Sequence, residues 1–190
     1  MAKFQFEETE IEGLKIVTPF LARDNRGYFS KNFERDEFRQ NGIDFDVYEC
    51  LESFSVRGVI RGLHFQYKDS QAKLIRAIHG EIYDVVVDLR KDSATFGKWK
   101  GVYLSSENKM NFLIPRGFAH GFLALSETAV VGYYADNRFA AEYDGGIVWN
   151  DPDLGVEWPM DRVDGSVILS DKDRQLQSFE AFVQNVGFVE

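Results

Sequence analysis

The chain has 190 residues, a length that suits one domain able to bury a core of its own. Its 22 Lys and Arg against 31 Asp and Glu give a formal charge of -9, which argues against nucleic acid or an anionic membrane as partner; a local cluster of cations can still meet an anionic small ligand. A single cysteine, Cys50, forms no intramolecular disulfide, the N-terminus lacks an apolar core of signal-peptide length, and no apolar run is long enough to span a bilayer, so a cytoplasmic setting is expected.

In chain order, an aromatic-rich opening comes first. Phe4, Phe6, Phe20, Tyr28 and Phe29 fit either an arm laid on another subunit or ordinary core packing. A helix is expected over 34–41, with Gly42 as its stop, and a second within 172–184. Short apolar runs at 14–17, 58–65, 73–78, 82–89, 102–104, 112–114, 121–125 and 129–134, parted by Gly, Asn, Asp or Ser turns, read as strands. Short strands without long helices between them predict an all-β sandwich or jelly roll with a few short peripheral helices. The run at 82–89 carries valines on both faces, so it should be buried on both sides, by a second sheet or by a partner subunit. With no repeat or linker, 1–190 reads as a single domain: an arm over 1–50, a barrel core over 51–150 and a C-terminal segment over 151–190.

Two stretches carry chemistry. Gly58-Val-Ile-Arg-Gly-Leu-His-Phe-Gln66, with Lys73 and Gly80 behind it, resembles the first motif of the cupins, and Pro115-Arg-Gly-Phe-Ala-His120 resembles the second. A metal-binding cupin continues its first motif as His-x-His, then places a Glu seven residues before the closing Gly. Here those two ligand positions are Gln66 and Lys73. An ammonium in the first shell repels a divalent cation, so a metal-free barrel is expected. What remains is imidazole, lysine and arginine, a set suited to moving a proton and stabilising an oxyanion. The plainer alternative makes His64 and His120 satisfied core histidines of a non-catalytic barrel.

A resemblance then covers nearly the whole chain. Asp24-x-Arg-Gly-Tyr-Phe29, the two stretches above, Asp84-Val-Val-Val-Asp-Leu-Arg-Lys-Asp-Ser93, Thr95-Phe-Gly-Lys-Trp99, Leu104-Ser-x-Glu-Asn108, Trp149-Asn-Asp-Pro152, Trp158-Pro159 and Leu169-Ser-Asp-Lys-Asp173 follow one another in order. Together they resemble the dTDP-4-dehydrorhamnose 3,5-epimerase family, a branch of the cupins. The resemblance implies a cupin jelly-roll homodimer with exchanged N-terminal strands and no cofactor. It also implies inversion of C3 and C5 of dTDP-4-dehydro-6-deoxy-D-glucose, through enolates, to dTDP-4-dehydro-L-rhamnose. The 4-ketone is essential to that chemistry, because a carbanion beside a carbonyl delocalises onto oxygen.

By the same resemblance His64 is the base and Asp173 its carboxylate partner, Tyr133 protonates from the other face, and Lys73 sits near the ketone. Arg26 and Arg61 match arginines that hold the substrate or its diphosphate. His120 matches a second pocket histidine and Phe139 an aromatic beside the sugar, while Lys172 and Asp144 fall on binding positions, Asp144 in place of the usual Glu. Taken alone, Asp173 would read as a turn or cap residue and Phe139 as plain core. Departures fall at Lys31, where the family has Glu, and in Glu49-Cys-Leu-Glu-Ser53, where Glu49 and Leu51 replace Gln and Asn in a region that recognises the nucleotide or sugar periphery. Narrower activities therefore stand beside the main one: an epimerase acting at C3 or C5 alone, a 3,4-ketoisomerase, or a non-catalytic sugar-binding cupin.

Overall fold

The computed structural model describes residues 3–165 and 167–185. In chain order its strands are β1 (Gln5–Glu8), β2 (Lys15–Thr18), β3 (Phe20–Asp24), β4 (Gly27–Lys31), β5 (Glu49–Val56), β6 (Ile60–Gln66), β7 (Lys73–His79), β8 (Glu81–Asp88), β9 (Trp99–Ser105), β10 (Asn111–Ile114), β11 (Phe118–Ala124), β12 (Thr128–Ala135) and β13 (Asp144–Gly146). Helix α1 (Arg35–Gln40) and helix α2 (Phe179–Asn185) are short. One sheet runs β1-β2-β10-β7-β12-β5, a second runs β13-β6-β11-β8-β9, and β3 with β4 forms a separate hairpin. Antiparallel pairing throughout these ladders makes the expected jelly roll.

Three apolar clusters fix the layers. Ile75, Ala77, Phe112, Ile114 and Val131 of the first sheet meet Ile82, Val86, Val102, Leu104 and Phe122 of the second, which defines the barrel interior. Outside the first sheet, Val17, Leu74 and Leu113 are covered by Phe38 of α1 with Ile43 and Phe45. Outside the second, Tyr83, Val85 and Val87 are covered by Ile147, Leu154, Trp158, Val163 and Phe182. Strand β8 is thus buried on both faces as its valines require, by the opposing sheet on one side. On the other side the chain's own C-terminal segment, not a partner, does the covering.

Core packing accounts for part of the aromatic opening. Phe4 and Phe6 pack edge-on against Phe38, with ring centroids 5.8 and 5.1 Å away, and belong to the core. Tyr28 and Phe29 lie on β4 and stay exposed, Phe29 at 64%. The second helix is shorter than its sequence suggests: residues 173–175 form a 3-10 turn and α2 begins only at Phe179.

Every predicted strand is present, and β1, β3, β4, β5 and β13 are additional. Strand β5 escapes pattern reading for a physical reason. Glu49, Leu51, Ser53 and Ser55 lie opposite Ala135, Tyr133, Val131 and Ala129, hence on the barrel side, while Phe54 and Val56 project outward and exposed. Its polarity is inverted relative to an ordinary half-buried strand.

Candidate active site

A bulge aims the first motif. Ile60, Leu63 and Phe65 of β6 all enter the outer cluster, although strict alternation would send Leu63 the opposite way from Ile60. The pairing of β6 with β11 shifts register at this point, which puts Arg61 and His64 on the barrel side together. Gly62 permits it. Its φ is +121°, and a Cβ there would lie 2.6 Å from the Gly121 Cα and 2.7 Å from the His120 carbonyl oxygen, so only glycine fits.

His64 stands directly across from His120 in the β6–β11 register. Its Nε2 is 2.5 Å from Oδ1 of Asp173, which the 3-10 turn at 173–175 brings in beneath it. The Ser170 hydroxyl donates to the other carboxylate oxygen at 2.8 Å, and the Asp173 backbone N–H donates to Ser170 Oγ at 3.0 Å. Asp173 is 3% exposed. Burial acts to raise its carboxyl, but the hydrogen bonds and charge of His64, Ser170 and Lys172 together outweigh that and hold it below the usual carboxylate value.

A second imidazole–carboxylate pair lies deeper. His120 Nε2 is 2.9 Å from Oδ2 of Asp84, which is fully buried and whose Oδ1 has no hydrogen-bond partner among the described residues. Burial pushes this carboxyl up against the opposing pull of His120 and Lys73. Lys73 opens β7 on the barrel side and shares a cavity lining with Gln66 and His120. Its own burial pushes the ammonium down, while the charges of Asp144 and Asp84 oppose the fall. Tyr133, on β12 of the opposite sheet, packs edge-on to His120 at 6.2 Å between ring centroids. Burial drives its phenol well above the ordinary value; a 3.0 Å hydrogen bond with Ser53 and the charge of Arg61 act the other way.

The remaining expected residues arrange themselves around this centre. Arg61 donates to Ser55 Oγ at 3.1 Å and to the Phe54 carbonyl at 3.0 Å. Lys172 pairs with Asp144, which lies opposite Gln66 in the β13–β6 register. The Glu49 carboxylate accepts from the Phe139 backbone N–H at 2.9 and 3.0 Å, and the Phe139 ring is exposed. Gln66 is committed to the same loop: its amide nitrogen donates to the Asp69 and Arg138 carbonyls, and its oxygen accepts from Ala140 N–H. Arg26 is not among the clustered groups. It lies at the β3–β4 turn with its guanidinium on Asp24 of the same turn.

Asp84 and Ser53 are the residues sequence reasoning passed over. Asp84 did leave a signal, since it interrupts an otherwise apolar run in a strand buried on both faces, where an unpaired carboxylate is costly. Ser53 left none without the knowledge that β5 turns its polar side inward.

A jelly roll whose interior collects two imidazole–carboxylate pairs, a phenol and a half-buried lysine has the equipment of an acid–base enzyme of the cupin class. Among the described residues no group of three or more His, Cys, Asp or Glu is arranged to hold a metal ion. The chain belongs to the dTDP-4-dehydrorhamnose 3,5-epimerase family, whose model matches residues 8–181. It is 51% identical over 174 residues to the dTDP-4-dehydrorhamnose 3,5-epimerase of Methanothermobacter thermautotrophicus, covering 92% of this chain and 94% of that one. The Legionella pneumophila epimerase, solved in complex with dTDP-4-keto-L-rhamnose, superposes with a TM-score of 0.92 at 36% identity, covering 98% of this chain and 99% of that one. The Bacillus anthracis enzyme, solved with TDP and pyrophosphate bound, has a TM-score of 0.88 at 41% identity, with 93% and 99% covered. No helix among the described residues is long and apolar enough to cross a membrane.

Proposed function

We propose that the protein inverts C3 and C5 of dTDP-4-dehydro-6-deoxy-D-glucose through enolate intermediates, giving dTDP-4-dehydro-L-rhamnose. One observation carries the stereochemistry. His64 belongs to the five-stranded sheet and Tyr133 to the six-stranded sheet, so base and acid come from opposite walls of one barrel. Epimerisation needs that disposition, because a proton removed from one face of carbon must be replaced on the other.

His64 takes the proton alpha to the ketone as Asp173 fixes the ring and stabilises the imidazolium. The electron pair left behind moves onto the C4 oxygen, where the Lys73 ammonium offsets the developing charge; such preorganised donors are typically worth about 10²- to 10³-fold in rate. Tyr133 then delivers its proton to the opposite face and the C–H bond forms inverted. His120, held by Asp84, lines the same region. Arg61 and Arg26 engage the diphosphate, and Glu49, Phe139, Asp144 and Lys172 bound the sugar and nucleotide. This scheme uses no cofactor.

The protein acts as a homodimer in this reading. Phe54 and Val56 of β5 and Tyr28 and Phe29 of β4 are exposed apolar surface on an edge strand and a free-standing hairpin. Exchange of the β3–β4 hairpin would cover both, and would carry Arg26, on the hairpin turn, to the partner's barrel. A narrower activity at one centre is the second reading. It is favoured by Leu51, the direct cross-strand neighbour of Tyr133 and a departure from the family pattern.

Incubation with dTDP-4-dehydro-6-deoxy-D-glucose in D2O tests the proposal, with deuterium located by mass spectrometry and NMR. Label at both C3 and C5 with inversion is expected. Label at one carbon supports the second reading, and no exchange sinks both.

A further inference from the structure

Strand β5 presents two serines to the barrel, and each meets a group of the candidate site. Ser55 accepts from Arg61 at 3.1 Å, and Ser53 lies 3.0 Å from the Tyr133 hydroxyl. The second contact is diagonal. Tyr133 is paired with Leu51 and Ser53 with Val131, so the phenol reaches two residues along β5 to meet the serine.

A bond between two hydroxyls can run in either sense, and the sense decides what Tyr133 can do. Donation by Tyr133 would spend the proton that must reach carbon. Donation by Ser53 leaves that proton free, and leaves a donor in place for the phenolate. We propose that Ser53 is a positioning residue for reprotonation, its hydroxyl donating to Tyr133 Oη so that the phenol proton is directed into the barrel and the phenolate is stabilised after transfer. In the step, the Tyr133 O–H bond breaks, its proton joins the enolate carbon, and the enolate electron pair forms the new C–H bond. Water restores the phenol proton, and His64 releases to water the proton it took. The burial of Tyr133 favours the neutral phenol, and the Ser53 bond acts against that tendency. The inference rests on Tyr133 being the acid.

The test separates proton removal from inversion. Ser53→Ala, Ser53→Thr and Tyr133→Phe are each incubated with dTDP-4-dehydro-6-deoxy-D-glucose in D2O, and labelled but uninverted substrate is measured against inverted product. A hydrogen bond to a charged group is worth roughly 10- to 100-fold. Ser53→Ala should therefore slow inversion by about that factor, with deuterium wash-in by His64 much less affected, so the ratio of exchanged substrate to inverted product rises at least about tenfold. Ser53→Thr, which keeps the hydroxyl, should restore the ratio to within about threefold. If Ser53→Ala melts early, Ser53→Cys, a much weaker donor, should show the same altered ratio. Normal partitioning in Ser53→Ala, with inversion lost in Tyr133→Phe, overturns the role of Ser53 alone. Undiminished inversion in Tyr133→Phe overturns the assignment of the acid, and the inference with it.

Discussion

Replacing Asp173 by Asn tests the dyad without changing its shape. The carboxylate holds His64 at 2.5 Å and is itself fixed by the Ser170 hydroxyl at 2.8 Å, so the amide can occupy the same space. It cannot supply the negative charge that stabilises an imidazolium, and it can turn its NH2 toward the ring and impose the wrong tautomer. In an imidazole–carboxylate pair of this kind that change costs on the order of 10³- to 10⁴-fold in kcat, or about 4–5.5 kcal/mol of barrel-side transition-state stabilisation. Folding stability should change far less. The lost charge-assisted bond is offset in part by no longer burying a charge, leaving a net loss of about 1 kcal/mol, or roughly 2–4 °C in Tm for a chain of this length.

The pH dependence gives a second readout of the same change. A carboxyl held below its unfolded value contributes stability that is present above about pH 4 and lost as pH falls through the depressed folded value. The Tm gap between wild type and Asp173→Asn should therefore narrow on acidification below about pH 4. Initial rates by NMR at saturating substrate, with calorimetric Tm across pH, measure both effects. A variant within tenfold of wild type in kcat would refute the claim that Asp173 acts on His64, and so would a defect confined to KM.

Asp84→Asn should separate activity from stability. A buried carboxyl raised above its unfolded value contributes stability only at low pH, lost as pH rises through the folded value, so the amide should equal or exceed wild-type Tm at pH 8. Lys73 would lose one of two nearby carboxylates that favour its charge, so the alkaline limb of kcat should move to lower pH; an unmoved limb would disprove the coupling. Gly62→Ala should cost more than about 3 kcal/mol or prevent folding, because its Cβ meets backbone rather than a flexible side chain; soluble protein with wild-type Tm would contradict the close approach of β6 to β11. Phe29→Glu should weaken self-association in sedimentation analysis at micromolar protein, and an unchanged sedimentation coefficient would remove the hairpin from the interface.

Legibility in the sequence followed burial pattern. Strands β7, β8, β10, β11 and β12 line or back the interior with apolar side chains, and their runs were visible. Strand β5 was not, because the face that turns inward carries Glu49, Ser53 and Ser55. The same inversion hid the partner of Tyr133. His64, Lys73 and His120 announced themselves by spacing within the two cupin-like motifs. Asp173 could not do so by pattern alone, since it stands 109 residues from His64 on an irregular turn and only the family resemblance joined the two. Arg26 was legible as a motif but not as a place, because a hairpin without neighbours in its own sheet gives no register to fix it.

The four positions at which a metal-binding cupin presents ligands explain why this barrel favours proton transfer. Charge is the reason to discount a cation at Lys73. Nε2 of His64 is engaged by Asp173 and Nε2 of His120 by Asp84, so each ring is oriented through one nitrogen and keeps the other outside that pair. Gln66 spends its amide on the 138–140 loop, and Lys73 lies under the fields of Asp84 and Asp144. Each position has acquired a partner that orients it or sets its charge, which is the requirement for general acid–base work. The departure from metal chemistry lies in Gln66 and Lys73 and not in the carboxylates, which would support a metal-bound imidazole equally well.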